Sequence, residues 1–249
     1  LVIAGWDADL RERSLVLKGG FDEFAVFPKS TSAHLDTLLA RSLAGVQECE
    51  LALPLLAAVL QTEATYRDAW IVDGFCKLTT ERPNEALTSL ERAYGFDPEN
   101  PPVQYFLGRT YAVLGDHENA ITFLQYALKN GLTPAAQARR ILAQEAQITG
   151  NVPLALEQLQ ALATDSSATI DDMVDYVSAA LTASDANGAL DVARKAVAKW
   201  PENSVAQELM GLSAKAAGNK DEAIAAFTEV LRIDPANENA KRELKDLSE

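Results

Sequence analysis

The chain has 249 residues, 48% of them hydrophobic, and 36 acidic against 22 basic side chains give it a formal net charge of −14. A chain this acidic gains nothing from neutralising phosphates, so nucleic acid is not expected as a general partner, and no basic amphipathic helix marks it for anionic lipid. No stretch is long enough to cross a bilayer, so no direct membrane insertion is expected, and two cysteines do not fix a redox compartment.

The first segment, 1–32, stands apart from the rest of the chain. It opens Leu1-Val2-Ile3-Ala4-Gly5-Trp6 rather than with Met. That apolar start reads either as the outer tail of a removed membrane anchor or signal segment, or as an ordinary packing edge. Ser14-Leu15-Val16-Leu17 and Glu23-Phe24-Ala25-Val26-Phe27 flank Gly19-Gly20 and could form a strand hairpin. Equally, Asp7 could cap a short helix that stops at the glycines. Pro28 to Ser32 reads as a linker.

From residue 33 a period takes over. Alanine recurs at Ala52, Ala86, Ala120, Ala155, Ala189 and Ala223, with spacings of 34, 34, 35, 34 and 34. Twelve residues before each stands a small residue (Ala40, Gly74, Gly108, Ala143, Gly211), with Val177 the departure. Four residues after it comes an apolar one: Leu56, Leu90, Leu124, Leu159, Ala193, Phe227. Turn signals such as Gly115-Asp116, Gly150-Asn151 and Gly218-Asn219 lie between, and Pro98, Pro201 and Pro235 come after the second apolar stretch. Each period therefore predicts a helix, a tight turn, a second helix and a proline-marked stop, with asparagine (Asn100, Asn237) placed to cap the next helix. Small residues let two antiparallel helices approach closely.

Three places break the pattern. One extra residue falls near Gly131-Leu132-Thr133-Pro134, as a tolerated loop insertion or a local change of superhelical pitch. Asp73 and Lys77 occupy sites that are apolar in neighbouring periods; acid first and four apart, they suit an intrahelical pair. The fifth period is rich in alanine and valine, and we expect it to be the most weakly packed.

Leu107-Gly108, Tyr111, Gly115-Asp116, Ala120, Ile121 and Ala127 carry a clear resemblance to the tetratricopeptide repeat family. Gly211, Ala223, Phe227 and Asp234-Pro235 add to it, as do Trp70 and Gly74. The resemblance implies an all-α fold: a right-handed superhelical solenoid of six tetratricopeptide-like helical hairpins at 33–66, 67–100, 101–135, 136–169, 170–203 and 204–237. Residues 238–249 would form a solvating C-terminal helix. Such solenoids stack single units that bury little alone and expose a long surface for binding.

In this family the first helix of each hairpin lines the concave face. Carried over by position, Ile71, Phe75, Leu78 and Tyr105, with Val113, make an apolar, aromatic floor. Arg41, Arg109 and Arg140 stand beside it, with amides at Gln137, Gln144 and Gln147. Arginine grips a carboxylate with two parallel hydrogen bonds, and an aromatic floor anchors an apolar side chain. The implied function is a protein-interaction scaffold that takes a peptide or helix with apolar anchors and an acidic group. The alternatives are a structural or assembly element of a membrane-associated complex, self-association included, or the non-catalytic part of a larger enzyme. Chaperone-binding relatives use a clamp of Lys and Asn one turn apart. The corresponding pairs here, Thr37/Arg41, Ile71/Phe75, Tyr105/Arg109 and Arg140/Gln144, do not match it.

Catalysis finds no support in the sequence. The histidines, His34 and His117, are far apart, and no Cys/His spacing suggests a metal site. No glycine-rich phosphate loop follows a strand. No catalytic residue, cofactor or metal is expected. Cys49 and Cys76 read as isolated buried thiols or, alternatively, as a disulfide across adjacent hairpins.

Overall fold

The computed structural model describes residues 32–248, and the expectations for the N-terminal segment lie outside them, except that Ser32 already begins the first helix. Thirteen helices and no strand are found among the described residues. They run α1 (Ser32–Gly45), α2 (Cys49–Thr62), α3 (Arg67–Thr79), α4 (Pro83–Phe96), α5 (Pro101–Leu114), α6 (His117–Lys129) and α7 (Ala136–Ile148). Then come α8 (Val152–Ala163), α9 (Ile170–Thr182), α10 (Ala186–Lys199), α11 (Ser204–Ala216), α12 (Lys220–Ile233) and α13 (Glu238–Ser248). The chain forms two compact units, one reaching Ala138 and one starting at Arg139.

Within each unit the hairpins close by one device. The turn between the two helices of a hairpin passes through a residue with positive φ: Gln47 (64°), Glu81 (60°), Gly115 (77°), Gly150 (72°), Ser184 (63°) and Gly218 (78°). The next backbone N–H then donates to a carbonyl five residues back, as in Asp116 N to Tyr111 O (2.9 Å) and Asp185 N to Ala180 O (2.8 Å). This left-handed closure satisfies the last carbonyls of the first helix. Asp116, Asn151 and Asp185 then cap the second helix, accepting from Asn119, Leu154 and Gly188 N–H.

Between hairpins, Pro98, Pro201 and Pro235 follow the C-caps Asp97, Trp200 and Asp234. Asn100, Asn203 and Asn237 accept from backbone N–H groups of the next helix, at 3.2 Å to Val103, 2.9 Å to Val205 and 2.9 Å to Ala240. Two of these turns carry a further lock: Gln104 donates to Pro98 O at 2.6 Å and Gln207 to Pro201 O at 2.9 Å. The longer connection after α6 spans 130–135 and turns at Gly131 (φ 87°).

In three of the six periods a glycine ahead of the alanine sits directly under the large residue behind it. A Cβ at Gly74 would stand 2.5 Å from Leu90 Cγ, at Gly108 2.7 Å from Leu124 Cγ, and at Gly211 2.7 Å from Phe227 Cζ. All six periodic alanines are buried. The fifth hairpin exchanges the partners, with Val177 at the small site and Ala193 at the large one, both buried. Such an exchange conserves volume across the crossing. Tyr176, 2% exposed, adds bulk to that hairpin that its alanine and valine content conceals.

Asp73 and Lys77 form the intrahelical pair that their spacing suits. The Lys77 ammonium lies 2.7 Å from the Asp73 carboxylate, and Ser89 of α4 donates to the same carboxylate at 2.5 Å. A buried acid is tolerated because both a cation and a hydroxyl satisfy it.

Candidate functional site

In the first unit a cavity of about 520 Å³ opens along α1, α3 and α5, the first helices of three successive hairpins. Arg41 comes from α1, and Ile71 and Phe75, one turn apart, share a face of α3. Phe106 of α5 completes the floor, its ring 5.4 Å from that of Phe75 and tilted by 58°. At one wall Tyr66 precedes α3, with its hydroxyl 2.8 Å from His34 Nδ1. Burial, and then the nearby carboxylates of Asp68 and Glu63, push the Tyr66 phenol up, so it stays protonated at neutral pH. Arg67 is held by Asp97 at 2.5 Å and Asp68 at 2.8 Å, so its charge is already matched.

The cavity therefore gathers Arg41, Ile71 and Phe75 of the predicted set. Leu78, Tyr105 and Arg109 are not in its lining. Tyr105 packs on Phe106 at 5.2 Å, and the Arg109 guanidinium lies 5.6 Å from the Tyr105 ring. One helical position, about 100° of rotation, separates Tyr105 from Phe106. Sequence reasoning passed over Tyr66 and Phe106. Phe106 neighbours a predicted position, and Tyr66 lies in the connection between hairpins, where helical spacing says nothing.

The second unit carries its own cavity of about 520 Å³, between α7, α8 and α9. Arg140, Gln144 and Gln147 line one wall, Val152, Leu156 and Leu159 the floor, and Asp175 and Ser178 the facing wall. The Arg140 guanidinium is not idle: its Nε and a terminal nitrogen donate to one oxygen of Asp172, at 3.1 and 2.8 Å. The other oxygen of Asp172 accepts from the backbone N–H and hydroxyl of Thr169 in a reciprocal helix cap. Burial opposes the charge on Asp172, but Thr169 and Arg140 outweigh it and hold the carboxyl below its ordinary value. Asp175 shifts the other way, raised first by burial and then by Asp172 and Asp171.

Among the described residues no cluster of three or more His, Cys, Asp or Glu is placed to hold a metal ion, and no described helix is long and apolar enough to cross a membrane.

The sequence profiles of the tetratricopeptide repeat match residues 77–145 and 177–238, together just over half of the chain. The chain belongs to the tetratricopeptide repeat family. No curated protein sequence matches it. Among solved structures, the C-terminal part of a tetratricopeptide repeat-containing protein from Cytophaga hutchinsonii superposes with a TM-score of 0.64 at 16% identity, covering 94% of this chain and 98% of that one. YrrB, described as a tetratricopeptide repeat protein with an unusual peptide-binding site, gives 0.60 at 16% identity over 76% and 97%. PilW, a type IV pilus biogenesis factor, gives 0.56 at 16% over 88% and 100%. At that identity the likenesses establish the fold alone. Tetratricopeptide repeats serve in general as protein-interaction scaffolds rather than enzymes, and at that level the function of this chain is to bind protein.

Proposed function

We propose that the cavity of the first unit receives a peptide or helix, anchoring an apolar side chain on Ile71, Phe75 and Phe106 and an acidic group at Arg41. The observation that carries this reading is the convergence of three successive first helices on one apolar, aromatic cavity with an exposed arginine at its edge. Burying a bulky side chain there is worth about 1.5–3 kcal/mol, enough to select an anchor residue. Arg41 adds specificity by favouring an acid near that anchor. Leu78, Tyr105 and Arg109 extend the surface beyond the cavity, and Arg140, Gln144 and Gln147 offer a second polar contact face in their own unit. YrrB, of the same fold, is described as having an unusual peptide-binding site, which supports peptide binding as a use of this fold.

A displayed library of random peptides, selected on the purified protein, tests the reading. It should enrich sequences pairing a large apolar residue with Asp or Glu. Enrichment of basic sequences, or no enrichment, would sink it.

A further inference from the structure

The cavity of the second unit differs in chemistry from that of the first. Its volume, about 520 Å³, is in the range of sites that enclose a ligand. Gln144 and Gln147 stand three apart on α7, and Asp175, Ser178 and Thr182 follow at spacings of three and four on α9. Such spacings put each row on one face of its helix. Leu156 and Leu159 of α8 belong to the apolar floor.

One carboxylate of this lining is unmatched. Asp172 holds Arg140 through two nitrogens, at 3.1 and 2.8 Å, whereas Asp175 makes no hydrogen bond or ion pair among the described residues. Burial, and then Asp172 and Asp171, disfavour the charge on Asp175, so a cation arriving there relieves an existing strain. The Thr182 hydroxyl donates its only proton to the Ser178 carbonyl at 2.8 Å, so towards a ligand it can only accept. The carboxamides of Gln144 and Gln147 carry both a donor and an acceptor, which is what a backbone peptide group requires of a partner.

A carboxylate, an apolar floor and carboxamides in one cavity match a particular piece of polypeptide. An ammonium, an apolar side chain and peptide groups meet within one residue only at a free N-terminus. A lysine would lay its own stem on the floor and hold its backbone away from the carboxamides. We propose that the second-unit cavity captures the free N-terminus of a partner polypeptide that begins with an apolar residue. Its ammonium sits at Asp175, its first side chain on Leu156 and Leu159, and its first peptide groups at Gln144 and Gln147. This site lies in the other unit from the groove proposed above and takes the opposite charge, so it does not depend on that reading.

The probe is a leucine-first peptide with no other charged group, amidated and labelled with a neutral dye at its C-terminus. Binding is read by fluorescence anisotropy at pH 7, where an α-amine is mostly protonated. The free peptide should bind the wild type, and acetylating its α-amine should weaken binding at least about tenfold. That comparison needs no variant, so no loss of folding can obscure it. Asp175→Asn, at an exposed position, should bring both forms to the same weak affinity. A glycine-first peptide should bind less well, because it leaves the floor unused. Equal binding of the acetylated peptide, no binding of the free one, or an Asp175→Asn protein that still prefers the free form would each overturn the proposal. An acetylated peptide with one lysine that binds as tightly as the free N-terminus would overturn it too.

Discussion

At Gly108 a Cβ would meet not only the Leu124 side chain but its backbone nitrogen, 3.1 Å away, so the α5–α6 crossing leaves no space for a methyl group. Gly108→Ala should cost about 1–3 kcal/mol in chemical denaturation, and trimming the opposing side chain in Gly108→Ala/Leu124→Val should recover part of it. Additive losses would count against the pairing. Val177 and Ala193 make such an exchange already present in the chain, which is why Val177 reads as a departure from sequence and as compensation in the structure. The Asp172 cap gives a second test. Its folded value is lowered, so its contribution is complete above the ordinary carboxylate value of about 4 and disappears as pH falls through the lowered one. Asp172→Asn should therefore cost about 1–3 kcal/mol at pH 7 and close to nothing in strong acid, read from melting curves across pH. A loss that did not change with pH would argue that packing, not charge, is what Asp172 supplies. The periodic alanines, the small-to-large pairs and the Asp73–Lys77 tie were legible in the sequence because each repeats, or breaks, a fixed spacing. The Arg140–Asp172 tie was not, because it joins residues 32 apart on different hairpins and no local spacing encodes such a pair.

Among helices and turns, the hairpin closure is the most regular device in the chain. Its six left-handed positions, three of them glycine, fall at the same spacing as the alanines. From sequence only the glycine-bearing turns stood out, since Gln47, Glu81 and Ser184 hold the same conformation without the residue that favours it. A side chain in that conformation costs about 1–2 kcal/mol, and glycine relieves it at some expense in chain entropy. Ser184→Gly should therefore stabilise the second unit by about 0.5–1 kcal/mol, whereas Gly115→Ser should weaken the first. A Ser184→Gly protein that unfolds more readily would show that the seryl side chain contributes more than its backbone strain removes. The connections between hairpins were half legible. Asp-Pro and the asparagine after it announced the stop and the cap, but the Gln104 and Gln207 locks onto proline carbonyls are tertiary and leave no trace in spacing.

For the whole molecule, the fold was readable because a period of this length permits little else, and the family is carried by the same residues. The binding surface was readable only to within a helical position. The repeat phase places α1, α3 and α5 on one face, but it does not say which of Tyr105 and Phe106 reaches the cavity. With a net charge of −14, the acidic ligand proposed above would be drawn by local guanidinium groups against the field of the chain, so Arg41 should govern selectivity more than overall affinity. The most direct measurement is the affinity of a peptide selected on the wild type for a Phe75→Ala/Phe106→Ala variant of unchanged helical circular dichroism. The groove reading predicts a loss of at least about tenfold, more than 1.4 kcal/mol, with Tyr105→Ala weakening binding less. Equal affinity in the folded double variant would place binding elsewhere and contradict it.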